Sequence, residues 1–210
     1  MAEKVAKLAT SERQFLQLAH KEIAGRVRPV YTVRELQSAS ETFKKRVGSC
    51  SQRLACLEAL ARANHIPTRV AAYWISRKFW YPRFRSYRFF IPKRIMLVWP
   101  EFYVDESWLS ADEIYASTED TFHHSTSGFS NSDAETLFEA IEGTPVDFSG
   151  KAVSCGCRNA DLSLSRHVLA SAGIFATRDE AFSRGLFERT IRGRAFELLF
   201  GGKPAGLSKL

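Results

Sequence analysis

The sequence predicts an α+β fold, on three observations. Residues 50–63 place Leu54, Leu57 and Ala61 at three- and four-residue spacings behind Ser49, a good N-cap, so this stretch reads as a helix with one buried face. Directly after it, Pro67 forbids further helix, and residues 69–75, RVAAYWI, have the β-branched and aromatic character of a strand. Residues 95–104 then alternate in polarity, and Asp105, Glu106 and Ser107 make a turn into another strand.

Helical patterns flank this block. Residues 11–25 start at a Ser11 cap, put Phe15, Leu16, Ala19 and Ile23 on one face and stop at Gly25. His20 lies beside that face and reads as a structural histidine. Residues 32–47 follow, with Thr32 and Glu35 at capping-box spacing and Lys44, Lys45 and Arg46 at the negative end of the helix dipole. Asn64 and His65 close the helix of residues 50–63, since both residue types tolerate a left-handed conformation. Towards the C-terminus a short helix opens at Asp133, and residues 161–175 and 177–200 read as two longer helices, the second with a Thr177/Glu180 capping box. The expected organisation is a core over residues 1–118, a polar loop with a short helix over 119–150 and a helical extension over 151–210.

Composition narrows the classes. A chain of 210 residues that is 45% hydrophobic and 25% charged can bury one good core. No apolar run reaches the roughly 18 residues of a membrane span, and the first residues lack the apolar centre of a signal peptide, so the expectation is a cytoplasmic protein without a membrane span. Four cysteines are too few and too unevenly spaced for a disulfide framework. Cys155 and Cys157 lack the two-residue gap of a zinc hairpin, so no metal is expected, and no motif calls for a cofactor.

Cys50 carries the chemistry. A thiol in the first turn of a helix lies at the positive end of the dipole, where N–H groups favour thiolate over thiol. The surrounding pattern has several parts. Gly48-x-Cys50 is followed by an apolar helix, then Ile66-Pro67-x-Arg69 leading into a strand, and then LVWPEFYVDESWLSAD over residues 97–112, with Trp99, Glu101, Tyr103, Trp108 and Asp112. This resembles the transglutaminase-like superfamily, the papain-related cysteine fold. The resemblance implies a helix carrying Cys50 packed on an antiparallel sheet, and a Cys-His-Asp triad in which Cys50 is the nucleophile and Asp112 orients the imidazole. It also implies that Trp99 and Trp108 shape the substrate-binding wall. Where the family has its histidine, this chain has Leu97. Asp112 reads equally as a capping acid for the residues after it. His123 and His124, in a polar loop, are the candidates for a substitute base.

A second candidate site is residues 77–94, which hold seven Lys or Arg and seven Phe, Trp or Tyr and no acid. The whole chain is only +7, so its basic character is concentrated here. Arg77, Lys78, Arg83, Arg85 and Arg88 are the anion-binding candidates, with rings available for stacking. The same alternation also describes two strands with aromatics inward and Arg stems along the edges. Two functions stay open. One is acyl transfer or amide hydrolysis through Cys50 on a peptide or acyl substrate. The other is a non-catalytic relative that binds an anionic partner at residues 77–94. The oligomeric state is not legible.

Overall fold

The computed structural model describes residues 1–84, 87–115, 129, 131, 135–143, 146, 148, 164–183 and 191–205. The chain opens with α1 (Ala2–Ala6) and α2 (Glu12–Arg26). Ser11 caps α2 by accepting the Gln14 N–H at 3.1 Å, and Phe15, Leu16, Ala19 and Ile23 are buried. His20 is buried with them, one ring nitrogen 2.7 Å from the Phe138 carbonyl and the other 2.7 Å from the Tyr115 hydroxyl. Burial lowers its pKa, against the Phe138 carbonyl contact that raises it, so burial favours the neutral ring and its two partners give it a structural role.

A short parallel bridge joins β1 (Arg28–Pro29) to β2 (Val47–Gly48), with α3 (Ala39–Lys45) between them. The helix expected from residue 32 therefore starts at Ala39, and its cap is Ser38, which accepts the Glu41 N–H at 3.2 Å. Thr32 is engaged elsewhere. Its hydroxyl donates to Glu197 at 3.0 Å and the Val33 N–H donates to the same carboxylate at 3.0 Å, so a tertiary contact takes the groups a capping box would need.

The central helix, α4 (Cys50–Ala63), has a complete capping box between Ser49 and Gln52. It buries Leu54, Cys56, Leu57, Leu60 and Ala61. At its end His65 adopts φ 61°, the left-handed geometry that lets the chain reverse into β3 (Thr68–Ser76). β3 pairs antiparallel with β4 (Arg94–Val104), and Tyr73 lies opposite Leu97. Asp105 and Glu106 both have positive φ, 52° and 61°, as the two central residues of a type I′ turn require, and they lead into β5 (Ser107–Ser110). Beyond it come α5 (Leu137–Ala140), β6 (Val168–Phe175), α6 (Arg178–Ser183) and α7 (Ile191–Phe200).

The sheet runs β5-β4-β3-β6 and is antiparallel throughout. The fold is thus α+β, with α4 packed on the sheet. Trp99, Phe102 and Val104 join the core that α2 and α4 share, while Val70, Ala72, Met96 and Val98 meet Phe175 and Phe182 in a second cluster. A third cluster holds Val33, Phe84, Ile91, Phe196 and Phe200.

Three local expectations are corrected. Residues 164–175 are not helical: one 3-10 turn, Leu164–His167, leads into β6, which pairs with β3 and passes through Gly173 at φ 110°. The hydrogen bonds offered by β3 override the helix-like spacing of the apolar residues. Residues 77–94 do not form two strands but 3-10 turns at Arg77–Trp80 and Arg88–Phe90, leaving residues 79, 84 and 91 buried. The short helix expected from Asp133 is described as α5, with Thr136 at its N-cap position making no capping bond and its hydroxyl donating to Glu139 instead. Thr177 does cap α6, accepting the Glu180 N–H at 3.2 Å. Among the described residues, no helix is long and apolar enough to cross a membrane and no cluster of side chains could hold a metal ion.

Candidate active site

The geometry around Cys50 begins with Gly48. A Cβ on this residue would stand 2.9 Å from Thr42 Cγ2, so the close approach of β2 to α3 needs glycine here, and two residues later the chain enters α4 at Cys50. Cys50 is half-buried and free, and with Ser49 and Ser51 it opens into a cavity of about 350 Å³. Leu97, projecting from β4, lines the same cavity. Cys56, two turns along α4, is different: burial pushes its thiol up to about 12 and its Sγ rests 3.7 Å from the Ala39 carbonyl.

Asp112 lies apart from this wall. One carboxylate oxygen accepts from the Ser110 hydroxyl at 2.6 Å and from the Trp99 indole N–H at 3.2 Å, and the other accepts the Val146 N–H at 3.2 Å. Asp112 is therefore a half-buried acceptor for three protein donors. Trp99 is buried in the core with its ring 5.3 Å from Phe148, and Phe148 in turn stacks on Tyr73 at 4.2 Å. Trp108 packs 5.3 Å from Tyr103 under the Arg69 guanidinium, 4.2 Å from the ring. The structure thus brings Cys50 and Leu97 together and leaves Trp99, Trp108 and Asp112 off the cavity wall. His123, His124 and Arg85 lie outside the described residues. Of the described histidines, 20, 65 and 167, none lines the cavity.

Burial raises the Asp112 carboxyl above its ordinary 3.8, outweighing the three donors that lower it. The sign follows from linkage. A carboxyl whose folded pKa is raised contributes stability that is complete below the unfolded value and is lost as pH rises through the folded one. Asp112→Asn cannot titrate. The stability of the native protein relative to this variant should therefore fall as pH rises out of the ordinary carboxylate range and through the raised folded pKa, measured by urea midpoints, and a flat or rising difference would contradict the assignment.

The basic aromatic segment is built into the same cavity. Phe79, Trp80, Phe84 and Ile91 line it, and Arg83 is turned to the protein, donating to the Asn131 side chain and the Glu135 carbonyl. Arg94 lies 4.6 Å over the Trp74 ring. Lys78 and Arg88 are exposed and Arg77 is half-buried. Of the five anion-binding candidates, Arg83 is thus committed to an internal role, while Arg77, Lys78 and Arg88 have no acidic partner among the described residues.

One part of the site had no sequence signal. Arg178, at the start of α6, donates to Glu58 of α4 from Nε at 3.2 Å and from a terminal nitrogen at 2.5 Å, and its other terminal nitrogen donates to Ser51 Oγ at 2.8 Å. Both charged side chains are buried, and Arg178 thereby ties the first turn of α4, at Ser51, and its third turn, at Glu58, to α6. Neither a search of curated proteins nor one of solved structures found a match. Residues 1–113, more than half of the chain, match the family model of the transglutaminase-like superfamily, and with α4, its leading cysteine and the antiparallel sheet in the family's order, the chain belongs to that superfamily.

Proposed function

We propose that this protein is a transglutaminase-like binding module in which triad catalysis has been given up. The observation that carries the reading is that Leu97 and Cys50 line the same cavity, with none of the described histidines on it, while Asp112, the acid expected to orient an imidazole, has its carboxylate filled by Ser110, Trp99 and Val146. A thiol without a proton-transferring partner forgoes roughly 10²–10⁴-fold of rate. What remains is an apolar cavity walled by residues 77–94, the segment that stood out in the sequence as a binding element.

The test separates reactivity from turnover. Brief iodoacetamide labelling near neutral pH should modify Cys50 well ahead of Cys56, whose thiol stays protonated. Activated esters and peptide amides, with or without an added amine, should give neither a burst nor steady release, and mass spectrometry should find no acyl group passing through Cys50. Sustained turnover that Cys50→Ala abolishes would overturn the proposal. In that event, loss of turnover on replacing His123 or His124 would identify the substitute base.

A further inference from the structure

We infer that the cavity beside Cys50 is a binding site for an unbranched long-chain carboxylate, its tail among the aromatic rings and its carboxylate at the first turn of α4. This rests on the binding-module reading and names its ligand. The cavity, about 350 Å³, falls within the roughly 300–1,000 Å³ of ligand pockets. Several of its polar wall groups already have partners within the protein. Arg83 is bonded to Asn131 and the Glu135 carbonyl, Asn131 donates to the Phe79 carbonyl, Thr32 to Glu197 and Thr136 to Glu139. The rings of Trp74, Phe79, Trp80, Phe84, Phe129 and Phe182 supply the surface that is left. A hydrated or multiply charged ligand would find few partners there, and a hydrocarbon chain needs none.

The carboxylate end is placed by a separate feature. Ser49, Cys50 and Ser51 all line the cavity, so the positive end of the 14-residue α4 opens into it. The capping box satisfies the Gln52 N–H through Ser49 Oγ and the Ser49 N–H through the Gln52 side chain, which leaves the N–H groups of residues 50 and 51 as the first-turn donors for an anion. Glu35 is the acid on the wall and Arg94, exposed, is its outermost cation. The volume corresponds to roughly a dozen groups the size of a water molecule or a methylene, which sets the expected chain length.

Trp74 and Trp80 line the cavity, so titration of the full chain with octanoate, decanoate, dodecanoate and hexadecanoate can be followed by tryptophan fluorescence, with native mass spectrometry for stoichiometry. Binding should saturate at one molecule per chain, strengthen by about fourfold for each added methylene, and level off near a dozen carbons. Dodecanol should bind at least tenfold more weakly than dodecanoate. Filling the cavity from two sides, with Leu97→Phe and separately Ala205→Phe, should each weaken dodecanoate at least tenfold while thermal unfolding confirms that the variants fold. Absence of saturable binding by the native protein, affinity that climbs with chain length without levelling, equal binding of dodecanol, or folded variants that bind like the native protein would each overturn the inference. A carboxylate cannot acylate Cys50. Binding and turnover are therefore read independently, and either proposal can fail alone.

Discussion

Replacing Leu97 with histidine is expected to raise the rate of Cys50 alkylation at pH 6–7 by about tenfold or more. Leu97 and Cys50 line one cavity, and the resemblance implies that the family's imidazole would stand at position 97. An imidazolium beside a thiol favours the thiolate, the form that reacts with alkylating agents, and that is the source of the expected gain. The resemblance makes Asp112 the expected partner for the new ring, but it must first release one of its three donors. Adding Asp112→Ala should thus cut the gain only in part. The measurement is the pH profile of alkylation, with unfolding curves beside it, since a polar ring without a partner in this wall costs about 1–3 kcal/mol. A folded Leu97→His protein with unchanged Cys50 reactivity would show that position 97 is not the family's histidine position.

The largest loss of stability is expected from Arg178→Ala. It removes the cation from a pair in which both side chains are buried, leaving the Glu58 carboxylate with only a long contact, 3.8 Å, to the half-exposed Arg62. Breaking one side of such a pair typically costs about 3–5 kcal/mol, whereas replacing both sides with apolar residues of similar volume is often close to neutral. Denaturant unfolding should show that loss for Arg178→Ala, and Arg178→Met combined with Glu58→Leu should recover much of it. Equal losses in the single and double variants would mean that packing around Phe182, not charge, holds α6 in place.

What the sequence revealed followed from how far each signal reaches along the chain. The Ser49 cap, the helix face of Leu54, Leu57 and Ala61, the left-handed His65 and the Asp105–Glu106 turn all depend on neighbours within four residues, and the structure has each of them. β6 failed because Leu164, Val168 and Phe175 fall at helix-compatible spacings, and nothing local reveals that β3 offers them a partner. Residues 77–94 misled in another way. Phe79, Trp80 and Phe84 turn inward, towards a cavity assembled with Tyr31, Phe129, Phe182 and Phe196 that only the folded chain brings together, while Tyr87 and Phe89 stay exposed. Asp112 was recognised as part of the motif, while its donor from Val146 was invisible from 34 residues away. The Arg178–Glu58 pair left no trace either, because single charges far apart look like solvated surface.

The position of β6 bears on how the chain is made. β3 is an interior strand only because Phe175 and its neighbours return across about a hundred residues to pair with Val70 and those after it, and closing so long a loop carries an entropic cost that earlier contacts must first make worthwhile. During synthesis, residues 1–113, the stretch that matches the superfamily, emerge with one side of β3 still open. Until β6 leaves the ribosome, that open side, with Val70, Ala72 and Trp74, is an edge to which another nascent chain can add, so the interval between translating residues 76 and 175 is when aggregation threatens most.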